Sequence, residues 1–222
     1  MTSGDFMTVE AAASELGVSV RHARRLADSG AITPVARGLV DTLSVERYRR
    51  SQRQGRTRAW AEHTAWAAVA LLAGHDTDWL GATQTSRLRG ALRSITNADD
   101  LATRMRDRAK VRTFAAHPAA LPRLTDVVAP ANLRQLGMTD AVDGSLDGYL
   151  AAGELDAVVR SLALREDPSG KVTLRTTGFD FDKVRQLVDT TALAAMDAAT
   201  SIDPRLRGLG QRTLDELLEA YR

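Results

Sequence analysis

The 222-residue chain contains no cysteine. Disulfides, thiolate nucleophiles and Cys-ligated zinc are excluded, which suits a reducing compartment. Long apolar runs are missing too. The longest, AWAAVALLA at 65–73, falls well short of the roughly 20 residues that a bilayer demands. No charged-then-apolar leader opens the chain. A soluble cytoplasmic protein with no membrane partner is expected. Acids are scarce in one place. Residues 19–58 hold ten arginines against three acids, a local balance of +7, although the whole chain carries only +2. Residues 1–18 carry three acids and no base, and residues 59–222 carry 20 bases and 22 acids. The basic excess therefore sits in one segment, and all of its cations are arginine, whose planar fork suits bidentate contact with phosphate and guanine. A merely solvated surface would intersperse acids among them.

Just before that segment, TVEAAASELG reads as a short helix: Thr8 is its N-cap, Val9, Ala12, Ala13 and Leu16 are at helical spacing, and Gly17 is its stop. Ser19 caps a second helix, VRHARRLADS, with Val20, Ala23, Leu26 and Ala27 as the buried stripe and Gly30 beyond. Small inward residues allow the two helices to approach closely. Arg21, His22, Arg24, Arg25 and Asp28 then face outward. Ser19 and the first helical N–H groups are positioned to meet a phosphate, and the arginines behind them to reach base edges. AITPVARGLVD reads as a hairpin with Pro34 on an edge strand and Arg37 at the tip, beside a DNA backbone or in the minor groove. Ser44 is expected to cap a third helix with Val45 and Tyr48 inward and Arg47, Arg49 and Arg50 available outside.

The order helix, turn, helix, G-x-I-x-P wing and D-x-x-S-V-E-R-Y helix over residues 7–50 resembles the winged helix of MerR-type regulators and phage excisionases. The resemblance implies that the second helix enters the major groove and the wing lies on the flanking backbone.

Polar residues follow, and the fold class expected is α+β: a winged helix-turn-helix at 1–53, a linker at 54–58 and a mixed α/β effector domain at 59–222. WAEHTAWAAVALLAG reads as a deeply buried helix and NADDLATRMRDRAK as another, with Leu101 and Met105 at i, i+4. KVRTFAAH, AVDGSLDGYL and SLALRE-DPSG-KVTLRTT read as strands, the last pair a hairpin across Asp167–Gly170. LAAMDAATSI and the terminal DPRLRGLGQRTLDELLEAYR read as helices, with Pro204 in the first turn.

Over residues 60–218, W-x-x-x-T-A-W-A-A-V-A-L-L-A-G, ELDAVVRSLALRED-PSG-KVTLRTT and A-M-D-A-A-T-S-I-D-P-R-L-R-G together resemble actinobacterial antitoxins of the AbiEi type, encoded beside AbiEii-type nucleotidyltransferase toxins. The resemblance implies a DNA-binding antitoxin that represses its own operon and neutralises a cognate toxin. A module this small needs two copies on operator repeats, so a homodimer on double-stranded DNA is expected.

One catalytic pattern competes. Gly144-Ser145, eight residues and then Glu154-Leu155-Asp156 matches the turn and paired carboxylates with which a nucleotidyltransferase binds triphosphate and Mg²⁺. Glu154 replaces the usual aspartate, and Leu155, Val158 and Val159 continue as an amphipathic helix where such an enzyme has a strand. The expectation is a non-enzyme without cofactor or metal. His75-Asp76-Thr77-Asp78 reads as a loop and cap rather than a metal site. Trp60, Trp66 and Trp79 read as core anchors, and His63 as a packing or surface residue. A ligand-responsive repressor is the remaining alternative.

Overall fold

The computed structural model describes residues 6–54, 58–138, 145–201 and 203–222. The chain divides into two compact units, Met1–Arg58 and Ala59–Arg222, and is mixed α+β.

The smaller unit runs β1 (Phe6–Thr8), α1 (Val9–Leu16), α2 (Val20–Asp28), β2 (Pro34–Ala36), β3 (Leu39–Asp41) and α3 (Thr42–Gln54). Thr8 Oγ1 accepts from Ala11 N at 3.1 Å, and Gly17 ends α1 in the left-handed region at φ 65°, where a Cβ is unfavourable. Ser19 Oγ accepts from His22 N at 3.2 Å and so caps α2. Ala12 and Ala23 are fully buried with Ile32, Val40 and Val45, and Val9, Ala13 and Leu26 complete this core. The sheet order is β1-β3-β2, all antiparallel, with Met7 and Pro34 both opposite Val40. Pro34 occupies an edge strand, where its missing N–H costs no ladder bond. The third strand, β1, has no signal in the sequence: three residues are too few for alternation.

One cap differs from expectation. α3 begins at Thr42, and Asp41 Oδ2, not Ser44, accepts the helical N–H, from Ser44 N at 2.8 Å. Ser44 lies inside the first turn and is buried. Its hydroxyl donates to Asp41 O at 2.7 Å and accepts from Thr33 N at 2.9 Å, pinning the chain before β2 to the start of α3.

The larger unit begins with three helices: α4 (Glu62–Leu72), α5 (Ala82–Ser94) and α6 (Ala98–Arg104). Every residue from Ala65 to Leu72 is buried, so α4 is the central rod. Trp60 lies before the helix, not in it. There follow β4 (Lys110–Ala115), α7 (Leu121–Val127), β5 (Ala129–Pro130), β6 (Leu146–Ala151), α8 (Leu155–Ser161), β7 (Arg165–Glu166) and β8 (Val172–Thr177). Three more helices close the chain: α9 (Phe181–Leu187), α10 (Thr191–Ala199) and α11 (Pro204–Tyr221). Asp203 caps α11 and Pro204 occupies its first turn.

The five-stranded sheet has the order β5-β6-β8-β4-β7. β8 pairs parallel with β6 and antiparallel with β4. The expected β7–β8 hairpin is absent: β7 pairs with β4 instead, Phe114 facing Glu166 on one side and Val172 on the other. The 167–171 segment passes over β4, and a Cβ on Gly170 would meet Phe114 C and O at 2.2 Å. Only glycine permits that crossing. The SLAL end of the expected strand is the end of α8 and its turn. α10 and α11 also approach closely: a Cβ on Gly210 would lie 2.3 Å from Ala199 N.

Candidate nucleic-acid interface

α2 owes its outward charge to two constraints. Ser19 sets where the helix starts, and burial of Ala23 and Leu26 fixes its rotation. Arg21, Arg24 and Arg25 are consequently exposed. Arg21 has no hydrogen bond or ion pair among the described residues. Arg24 Nη2 lies 3.3 Å from Glu10 Oε1 on α1, both side chains more than half exposed. Arg25 Nη2 lies 2.9 Å from Nδ1 of His22, one turn earlier. Since Arg25 has only donors, a hydrogen bond there requires Nδ1 to accept. Ser19 Oγ is engaged as an acceptor, so its hydroxyl hydrogen remains to donate to an oxyanion.

Arg37 occupies the turn between β2 and β3 with Gly38, at φ 79°, and is exposed. Val9 N donates to Gly38 O at 3.0 Å, tying that turn to the start of α1. Arg49 departs from expectation. Its side chain is half-buried, with Nη1 3.3 Å from Glu15 Oε1 on α1, and its Nε is buried without an acceptor among the described residues. It ties α3 to α1 and is not a free outward cation, because helical spacing carries it towards α1. The side chains expected of Arg47 and Arg50 lie outside the described residues. The acids that matter here, Glu10 and Glu15, were missed in the sequence because they belong to a different helix from the arginines they meet.

Of the competing catalytic set, Gly144 lies outside the described residues. Glu154 ends a short 3-10 turn and Asp156 stands in the first turn of α8, both exposed. Among the described residues no group of three His, Asp or Glu side chains is arranged to hold a metal. No described helix is long and apolar enough to cross a membrane.

The larger unit holds a second electrostatic feature, assembled from residues far apart in the sequence. Asp197, buried in the alanine-rich α10, accepts through Oδ1 from Arg108 Nη2 at 2.5 Å and from Tyr149 OH at 2.7 Å. Arg175 Nη1 lies 3.3 Å from the same oxygen. Arg175 is also held in a fork by Asp147, at 2.7 and 2.8 Å. Burial opposes the charges of Arg108 and Arg175. The oxygens of Tyr149 and Asp197 beside Arg108, and of Asp147 and Asp197 beside Arg175, outweigh it and raise both pKa values. Burial first, and then the Asp197 charge, push the Tyr149 hydroxyl well above its ordinary range. Two cations and two carboxylates balance one another here, so the cluster is a fixed internal strut. Its signal in the sequence was the single aspartate of LAAMDAAT, a lone charge in an otherwise apolar helix. Trp66, fully buried, donates Nε1 to Thr177 Oγ1 at 3.0 Å and packs edge-on to Tyr149.

No family model matches the chain, and searches of curated proteins and of solved structures find no match either.

Proposed function

We propose that the chain binds duplex DNA sequence-specifically through a winged helix-turn-helix in its smaller unit, with α2 as the recognition helix in the major groove and the β2–β3 turn on the flanking backbone. One observation carries the reading. α2 is capped by Ser19 and rotated by Ala23 and Leu26 so that Arg21, Arg24 and Arg25 stand exposed on its outer face. Arginine forks at the start of such a helix match guanine O6 and N7, and the capped end matches phosphate. Two copies on half-sites about one helical turn apart supply the contacts that a single small module lacks.

The antitoxin role is an extension supported by the resemblance over residues 60–218: autoregulation of the operon, neutralisation of a nucleotidyltransferase-type toxin, and no catalysis by this chain. Footprinting of the DNA upstream of its own gene tests the first part, with a protected repeat expected at moderate salt. Absence of protection there rejects autoregulation. Co-expression with a nucleotidyltransferase encoded beside it tests the second, and toxicity unrelieved by this chain rejects neutralisation.

A further inference from the structure

We propose that α5, in the larger unit, is a second contact surface for the phosphate backbone of duplex DNA, formed by Arg87, Arg89 and Arg93 around an open centre at Gly90. The choice of duplex DNA as the occupant rests on the reading of the smaller unit given above.

No acid occurs between Asp78 and Asp99, a stretch that contains these three arginines. Leu88 and Leu92 are buried and fix the inward face of α5. All three arginines are exposed and have no ion pair or hydrogen bond among the described residues. Helical geometry puts Gly90 roughly opposite the leucines, with Arg87 and Arg93 about 60° to either side and about 9 Å apart along the axis. Arg93 sits in the last turn, where it also complements the helix dipole. Arg87 and Arg89 lie further in and have no such structural reason.

Gly90 is the second observation. A Cβ there would meet nothing within 4 Å, and its φ is not left-handed. Neither packing nor backbone geometry requires glycine, which weakens an exposed helix. What its bareness provides is close approach of a flat, charged chain to the helix backbone between two flanking guanidinium groups. The exposed hydroxyls of Thr83 and Ser86 border the same face.

The exposed positions of α5 carry only Ala, Thr, Gln, Ser, Arg and Gly. Protein interfaces are enriched in aromatic residues and Met alongside Arg, and this face carries Arg without them; a polyanion needs only the cations. On one flank, Arg89 and Arg93 border a shallow hollow of about 580 Å³ whose other wall includes Asp76 and Asp78. Asp78 is engaged by Lys183 at 2.8 Å. The acids lie beside the ridge rather than on it, so the outer ridge is the surface offered to phosphate.

The test uses the full chain, with binding to a random duplex and to the DNA upstream of its own gene measured by fluorescence anisotropy across a salt series. The combined variant Arg87→Gln, Arg89→Gln and Arg93→Gln is expected to flatten the slope of log K against log salt by about 2 to 3 units on both duplexes, leaving their affinity ratio unchanged. Replacement of all three by lysine should keep the slope, and Gly90→Glu alone should weaken both complexes. A folded glutamine variant with wild-type slope overturns the proposal, as does Gly90→Glu binding like wild type. So does loss of association with a protein while duplex binding is retained. If Arg24→Ala and Arg25→Ala leave sequence preference intact while the α5 variants lose affinity, the reading of the smaller unit fails and this one stands. A chain that binds neither duplex at low salt ends both.

Discussion

Arg24 on α2 and Glu10 on α1 face each other in solvent, Nη2 to Oε1 at 3.3 Å. Exposed pairs of this kind contribute about 0 to 1 kcal/mol, so the carboxylate matters less to the fold than to what Arg24 meets next. In a complex, Glu10 competes with phosphate or guanine for the same fork. Glu10→Gln is therefore expected to tighten duplex binding while changing urea stability by less than about 1 kcal/mol. Weaker binding of this variant would place Arg24 outside the interface.

Contacts of different kinds separate on mutation. Arg24→Ala and Arg25→Ala should each cost about 1 to 3 kcal/mol on a specific duplex and relax the preference at one base pair. Arg49→Ala should leave the salt slope unchanged, because its guanidinium is committed to Glu15. Instead it loosens α3 from α1, by up to about 1 kcal/mol. Competition assays with single-base operator variants and a salt series check the three together.

The buried strut in the larger unit sets a stability prediction. Asp197→Ala leaves Arg108 and Arg175 facing one another without their shared carboxylate, a loss of about 3 to 5 kcal/mol. Equilibrium urea unfolding reads it directly, and retention of wild-type stability would show that the two cations find other compensation.

Tyr149 gives that unit a pH dependence. Its folded pKa is raised above the ordinary 10.0, so the folded state keeps a proton that the unfolded chain releases. The resulting stability is complete below about pH 10 and is lost as pH rises through the alkaline range. Urea midpoints should fall more steeply above pH 10 in the wild type than in Tyr149→Phe. Equal slopes would mean that the hydroxyl ionises freely in the fold.

Two glycines in α11 should respond with opposite signs. A Cβ on Gly210 would lie 2.3 Å from Ala199 N and 2.6 Å from Ala195 O, whereas one on Gly208 has Arg212 Nη1 as its nearest neighbour, at 3.6 Å. Gly208→Ala should stabilise by about 0.5 to 1 kcal/mol through helix propensity. Gly210→Ala should destabilise despite the same gain, by about 1 to 3 kcal/mol, as α10 is forced away. Thermal unfolding of the pair distinguishes them.

Features written in adjacent residues were legible in the sequence. Thr8, Gly17, Ser19 and Pro204 mark helix ends through their own chemistry, and the run from Ala65 to Leu72 announces burial on all sides. Features that depend on where distant segments meet were not. β7 is two residues long, and its partner is decided by the passage of Gly170 over Phe114. A DPSG turn alone carries no such instruction. Ser44 resembles a cap because nothing local reveals Thr33 above it. The arginines of α2 were readable as an outward set from their spacing, but the acids that meet the arginines of this unit were not, since Glu10 approaches Arg24 of α2, and Glu15 approaches Arg49 of α3, through tertiary packing.

β8 lies between β6 and β4, so among the described residues 172–177 are the strand that joins the two halves of the larger sheet. On the ribosome, β4 and β6 would emerge earlier and wait with open edges until that strand arrives. Contacts this distant along the chain slow folding, and unpaired edges invite other strands. Nascent chains stalled before Val172 should accordingly be the protease-sensitive, aggregation-prone forms, and release past Thr177 should be the point at which the sheet closes.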